Sequence, residues 1–245
     1  MRWLAAFALI VAAGSAGAVD CRDMAFDGKG YTICEVDTGR EELRLFYKES
    51  AEGAVLGQFH AVDDVLKAED KRLAFAMNAG MYHPDRRPVG HYVEHGVELQ
   101  RIITSPGPGN FGLLPNGVFC IRGGRADVFE TLRFKREAPR CDYASQSGPM
   151  LVIDGKLHPR FLKDSDSRHI RNGVGTSADG KRAVFAISRE TVTFHEFGRL
   201  FRDYLKLPQA LYFDGKISRL YAPQIGRDDL GFALGPIVGV VTGAD

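Results

Sequence analysis

Val118-Phe-Cys-Ile-Arg-Gly-Gly-Arg-Ala-Asp-Val-Phe decides the fold. Two runs rich in β-branched and aromatic residues flank Gly123-Gly124, and a tight hairpin turn needs the positive φ that glycine tolerates. The same grammar recurs in Tyr92-Val-Glu-His-Gly-Val-Glu-Leu, in Met150-Leu-Val-Ile-Asp-Gly-Lys-Leu and in Ser177-Ala-Asp-Gly-Lys-Arg-Ala-Val-Phe-Ala-Ile. Residues 31–36 and 43–47 add two further strands by alternation and β-branched or aromatic content. The expected class is therefore α+β, with a predominantly antiparallel (mixed) β-sheet built from hairpins and a few packed helices.

Two helices interrupt this pattern. Residues 62–71 place Val62, Val65 and Leu66, with Leu73 beyond, on one side of a short amphipathic helix. Thr193 followed by Glu196 forms a capping box ahead of Phe194, Phe197, Leu200, Phe201, Tyr204 and Leu205, and Pro208 ends that helix. The apolar stretch 231–243 is shorter than the roughly 20 residues a spanning helix needs, so it is expected as a buried strand, and no membrane span is expected.

Composition narrows the partners. The 245 residues carry 32 Lys+Arg against 31 Asp+Glu, a formal charge of +1, which offers no bulk attraction to nucleic acid or an anionic membrane. A hydrophobic fraction of 44% with 26% charged residues is that of a globular chain, not a disordered one. The 28 glycines exceed the usual share without a G-X-Y period, in keeping with many tight turns.

Met1-Arg2, an apolar run from Trp3 to Ala13 and the small residues Ala16-Gly17-Ala18 read as a signal peptide over 1–18, cleaved after Ala18. The remainder, 19–245, has no linker or repeat and is expected as a single exported domain, periplasmic or secreted. Cys21, Cys34, Cys120 and Cys141 suit disulfides in that setting. Three pairings are open, of which local closure favours Cys21 with Cys34 and Cys120 with Cys141. There is no C-x-x-C, and His91 and His95 fall in a hairpin rather than on a helix, so no metal site and no cofactor is expected.

Four polar, glycine-bearing segments exceed what turns require. Asn78-Ala-Gly-Met-Tyr ends an apolar strand, with Asn78 and Gly80 at its exit. Gln146-Ser-Gly-Pro-Met sets Gln146, Ser147 and Gly148 where successive backbone N–H groups can form an anion nest. Arg171-Asn-Gly-Val-Gly offers a guanidinium fork to a phosphate beside Asn172. Leu211-Tyr-Phe-Asp-Gly closes a buried strand on Asp214 and Gly215, where acid–base groups are commonly placed.

In this order, the four segments resemble the phosphodiester glycosidase family, from about residue 40 to the C-terminus. The resemblance implies hydrolysis of the anomeric C–O bond of a sugar-1-phosphodiester, with a glycan or sugar-phosphodiester as partner. It implies catalytic roles for Asp214, Asn78 and Arg171. Asp214 is expected to direct or deprotonate water, Arg171 with the backbone at Ser147 and Gly148 to hold phosphate, and Asn78 and Gln146 to bond sugar or phosphate. Gly80, Asn172, Gly215 and Lys216 complete the expected binding set. Many members continue the Asp-Gly with further glycines. Here Lys216-Ile217-Ser218 follows, which removes backbone access and adds a cation. Two other readings use the same loops: a non-catalytic glycan- or envelope-binding protein, and a metal-dependent phosphodiesterase cutting P–O bonds.

Overall fold

Hairpin pairing accounts for most of the architecture seen in a computed structural model of the protein, which describes residues 19–50 and 53–244. The expected signal peptide at 1–18 lies outside the described residues. Along the chain come β1 (Asp20–Phe26), β2 (Lys29–Asp37), β3 (Glu42–Phe46), α1 (Phe59–Leu66) and β4 (Lys71–Asn78). Then follow β5 (Tyr92–Glu94), β6 (Val97–Gln100), β7 (Gly117–Arg122), β8 (Arg125–Glu130), α2 (Thr131–Glu137) and β9 (Tyr143–Ser147). The second half holds β10 (Met150–Ile153), β11 (Lys156–Leu157), β12 (Asn172–Thr176), β13 (Arg182–Ser188), α3 (Phe194–Arg199) and β14 (Gln209–Asp214). Last are β15 (Leu220–Ala222), β16 (Arg227–Asp228) and β17 (Ile237–Gly243).

The strands form three sheets, in the orders β1-β2-β13-β12-β14-β10-β11, β16-β15-β4-β17-β3 and β6-β5-β9-β7-β8. The pairings within them are antiparallel, and the α+β class expected from the hairpins is the one observed. The inner faces of all three sheets meet in one aromatic and aliphatic core. Phe185 of the first sheet lies 4.9 Å from Phe75 of the second and 5.8 Å from Phe119 of the third, ring centre to ring centre. Such tilted and edge-on contacts are the preferred aromatic geometries.

Each sheet buries its outer face beneath one helical segment. On the first, Phe197 of α3 and Phe201 of the π turn that continues it (Leu200–Tyr204) pack against Tyr31, Ile33, Val184 and Ala186. The capping box is present: Glu196 N–H donates to Thr193 Oγ1, and Thr193 N–H to the Glu196 carboxylate. On the second sheet, Phe59, Val62 and Leu66 of α1 cover Leu73, Ala76 and Ile237. On the third, Phe134 of α2 covers Val118, Cys120 and Phe129.

Three sequence expectations need amending. The first helix starts at Phe59 and becomes a 3₁₀ turn at Lys67–Glu69. Leu73 belongs to β4, because Asp70 turns left-handed (φ 54°) and ends the helix ahead of it. Helix α2 was not foreseen. Its N-cap is the Glu130 carboxylate, which accepts from Leu132 and Arg133 N–H, and glutamate is not among the usual capping residues. The apolar C-terminal segment does form a strand, β17, which lies between β4 and β3.

The disulfides are Cys21–Cys34, a cross-strand pair between β1 and β2, and Cys120–Cys141, which ties β7 to the chain leading into β9. Two disulfides fit an exported protein.

Candidate active site

Asn78 ends β4, Asn172 begins β12 and Asp214 ends β14. Because β12 and β14 run antiparallel with Asn172 opposite Asp214, the start of one strand and the end of the other fall at the same edge. Two backbone donors then fix both amides. Asp214 N–H donates to Asn172 Oδ1 and Arg219 N–H donates to Asn78 Oδ1, each at 3.0 Å. A backbone N–H cannot swap roles, so Asn172 must present Nδ2 to Asn78, and it donates to Asn78 Oδ1 at 2.5 Å. The relay leaves Asn78 Nδ2 buried with no partner. An orphaned buried donor costs roughly 1–3 kcal/mol.

Asp214 sits above this relay at the wall of a cleft of about 720 Å³. Its Oδ1 accepts from the N–H groups of Gly215 and Lys216 at 2.7 and 2.9 Å, which shapes the turn. Burial pushes its pKa above the usual aspartate value, against the pull of those N–H groups and of the Lys216 ammonium. Gly215 is required by contact: a Cβ there would lie 2.1 Å from the Tyr212 hydroxyl. Lys216 is exposed and lines the cleft. Arg86 lines the same cleft, its guanidinium 5.3 Å from the centre of the Tyr82 ring. Neither cation has a salt-bridge partner among the described residues.

Arg171 is placed differently from the expectation. It has no exposed surface, and its guanidinium donates to the Val192 carbonyl at 2.8 Å and the Ser167 carbonyl at 2.9 Å while stacking 3.6 Å over Phe194. It is a strut under the 164–170 loop and does not line the cleft; its Nη1 and the neighbouring Tyr212 hydroxyl are buried without a well-formed hydrogen bond, yet the guanidinium and the phenol lie close enough to act on each other. Gln146 is likewise committed internally. Its Oε1 accepts from His91 and Ile103 N–H, and its Nε2 donates to the Ile103 carbonyl and Thr131 Oγ1, which consumes the amide. The Ser147 hydroxyl donates to the Phe213 carbonyl, and Ser147 itself is in the β7–β9 ladder, so no open nest forms there. Gly148 is buried against Asn116, and Gly80 approaches Ser145 Oγ so closely that a Cβ would lie 2.8 Å away. Gln146, Ser147, Gly148 and Gly80 pack β9 against its neighbours and are not among the residues that line this cleft.

Sequence reasoning missed Arg219. It is 4% exposed, and its guanidinium donates to Gln58 Oε1 and to the carbonyls of Asp229 and Phe232 while its backbone orients Asn78. Nothing in the letters Ser218-Arg219-Leu220 marks that double role; only the position shortly after Asp214-Gly215 hints at it. A second cavity, of about 390 Å³, carries Arg189 and Arg227, but both are paired, with Asp23 and Asp229. Among the described residues, no three His, Cys, Asp or Glu side chains stand together as a metal-binding group.

An antiparallel three-sheet fold with a strand-end amide relay and one half-buried carboxylate on a cleft defines a candidate hydrolase site. A sequence profile described as phosphodiester glycosidase matches residues 71–228. The chain belongs to the phosphodiester glycosidase family. It is 33% identical over 186 residues to the uncharacterized protein YigE of Escherichia coli K12, covering 76% of this chain and 72% of that one. The zebrafish N-acetylglucosamine-1-phosphodiester α-N-acetylglucosaminidase catalytic domain, auto-inhibited by its pro-peptide, superposes with a TM-score of 0.62 at 13% identity, covering 91% of this chain and 81% of that one. A Burkholderia pseudomallei K96243 protein described as exported superposes with a TM-score of 0.53 at 10% identity, covering 86% and 74%. At these identities the two structures show a shared fold.

Proposed function

We propose that the protein is an exported hydrolase that cleaves the glycosidic C–O bond of a sugar-1-phosphodiester in an envelope or extracellular glycan, with residues 19–245 acting as one domain. The observation that carries this reading is the lone carboxylate of Asp214, raised in pKa by burial, held by its own turn and facing a cleft that also presents Lys216 and Arg86. Asp214 Oδ2 accepts neither of the turn's bonds and is the atom that takes a proton from water. Water attacks the anomeric carbon, the C–O bond breaks, and its electron pair leaves on the phosphate. A phosphomonoester with a second pKa near 6 departs without strong protonation, so a single carboxylate suffices.

Lys216 and Arg86, accessible and unpaired, hold the phosphate in this reading, in place of Arg171. Asn172 positions the turn that carries Asp214, and Asn78, buried behind it and outside the cleft lining, holds Asn172 in place.

The test is hydrolysis of a panel of sugar-1-phosphodiesters by the purified mature protein in oxygen-18 water, with and without EDTA. Label recovered on the sugar, unaffected by EDTA, is the expected outcome. Label on the phosphate, or loss of turnover with chelator, would replace the reading with metal-dependent P–O cleavage. Ligand binding without turnover would make the protein a binder. Asp214→Asn is expected to lower turnover by about 10²-fold or more with the fold intact.

A further inference from the structure

The cleft beside Asp214 has walls of unequal chemistry. Its ionisable residues come from two turns, His83 and Arg86 in one, Asp214 and Lys216 in the other. The third wall is the chain from Ile103 to Phe111, which contributes Ile103, Pro106, Pro108 and Phe111. From Ile102 through Ile121 the sequence carries no charged residue, in a chain that is 26% charged overall. A sugar or polyol lying there would give up more water contacts than this wall returns, because Ser105 and Asn110 are the polar side chains it offers to the cleft. A hydrocarbon chain would lose nothing and bury apolar surface.

The wall is held in place for such contact. The Gln146 amide grips Ile103 by both its N–H and its carbonyl, and Asn116 Nδ2 donates to the Phe111 carbonyl at 2.9 Å. Between those anchors, Pro106 and Pro108 restrict the backbone of an arch that makes no ladder. A second apolar feature is tied to the cleft through Tyr82. The Tyr82 hydroxyl donates to the Ala233 carbonyl at 3.4 Å, and the loop it touches bears Leu230 and Phe232, 87% and 78% exposed. Arg219 clasps that loop through the carbonyls of Asp229 and Phe232, so the two side chains are presented from a fixed backbone.

We infer that the group on the far side of the phosphate is a hydrocarbon: the substrate class is a lipid-linked sugar-1-phosphodiester, with the phosphate at Arg86 and Lys216 and the alkyl or prenyl chain along the Ile103–Phe111 wall. The inference rests on the hydrolase reading for the placement of phosphate and sugar. Hydrolysis then gives the free sugar and a lipid phosphomonoester, with water supplying the oxygen to C1 and a proton to the products.

The experiment compares ethyl and octyl diesters of the same sugar-1-phosphate, both kept below aggregating concentrations, in two measurements. One is kcat/KM of the wild-type protein, and the other is calorimetric affinity of Asp214→Asn, which separates binding from turnover. A buried methylene is worth about fourfold in affinity, so even partial burial of the longer chain is expected to favour the octyl compound at least tenfold in both. Pro108→Asp, an exposed arch position, is expected to reduce that preference to within threefold. Turnover of both diesters with equal kcat/KM and equal affinity would overturn the inference while leaving the hydrolase reading standing. Octyl preference in binding without turnover of either would support the apolar subsite and sink the hydrolase reading. Octyl preference unmoved by Pro108→Asp would place the chain elsewhere and overturn the assignment of the wall.

Discussion

Replacing Glu94 by glutamine is expected to stabilise the protein at pH 8 and to do almost nothing at pH 4. Glu94 ends β5 beneath Tyr47, Tyr92 and Tyr143, and burial raises its pKa from 4.5 to about 7, although the Tyr92 hydroxyl (3.1 Å) and the Tyr47 N–H favour the charged form. No cation forms a salt bridge to it among the described residues. At about 1.4 kcal/mol per pH unit, that displacement corresponds to an upper bound of about 3 kcal/mol. Below pH 4.5 the carboxyl is protonated folded and unfolded alike, so it costs nothing. Between 4.5 and about 7 the unfolded chain has released the proton while the folded protein still holds it, and stability falls as pH rises. Above about 7 the folded protein carries a buried carboxylate and the whole penalty is present. Glutamine keeps an acceptor for Tyr92 and does not titrate. Chemical unfolding of wild type and Glu94→Gln at pH 4, 6 and 8, with disulfides intact, gives the difference directly, and all other titrating groups cancel in it. The variant's advantage is expected to grow from near zero to about 2–3 kcal/mol. A difference that does not change with pH would refute the reasoning.

The raised pKa of Asp214 predicts that the acidic limb of kcat/KM lies above the range of a free aspartate, with activity rising as the base deprotonates; a limb at or below that range, measured on any turned-over diester, contradicts it. Gly215→Ala is expected to lower activity by tenfold or more because its Cβ meets the Tyr212 hydroxyl at 2.1 Å, and Tyr212→Phe in the same chain is expected to restore part of it by removing the atom in the way, at the cost of that hydroxyl's interaction with Arg171. Kinetics of the two single variants and the double variant decide the point, and additive losses would exclude the contact as the cause. Cys120→Ser with Cys141→Ser opens a loop of sequence separation 21 and is expected to cost about 3 kcal/mol in chemical unfolding, whereas an unchanged midpoint would mean that the reduced chain is already confined.

The strands were legible because a hairpin is local: its turn glycines and its alternation sit within a dozen residues. The capping box at Thr193 was legible for the same reason. Helix α2 was not, since its cap is a glutamate and Thr131-Leu-Arg-Phe buries only Thr131 and Phe134. The site was legible as a set of segments and not as a set of roles. Arg171 and Gln146 carry the right chemistry for a ligand, but both are bonded to backbone across distant segments, and no spacing in the sequence records which groups have been taken. Arg219 was invisible for the converse reason: its contribution to Asn78 is a backbone N–H, which every non-proline residue possesses.

The relay explains why these segments need to stand together although 136 residues separate Asn78 from Asp214. Asn78 belongs to the second sheet, while Asn172 and Asp214 belong to the first. Each asparagine takes its direction from a backbone donor beside it in its own sheet, Asp214 N–H for Asn172 and Arg219 N–H, just ahead of β15, for Asn78, and the Asn172–Asn78 bond is what joins the two sheets. The shared core around Phe75, Phe119 and Phe185 fixes the two sheets against each other, so a shift in that core is transmitted as a change in the Asn172–Asn78 contact and then in the turn at Asp214. Close approach of β12 to β14 serves the same end. A Cβ on Gly173 would lie 2.4 Å from the Leu211 carbonyl, which ties glycine at that position to the strand spacing that brings Asn172 within 3.0 Å of the Asp214 N–H. Core packing and site geometry are therefore one constraint here, and the polar residues at the strand ends are specified by the apolar ones between them.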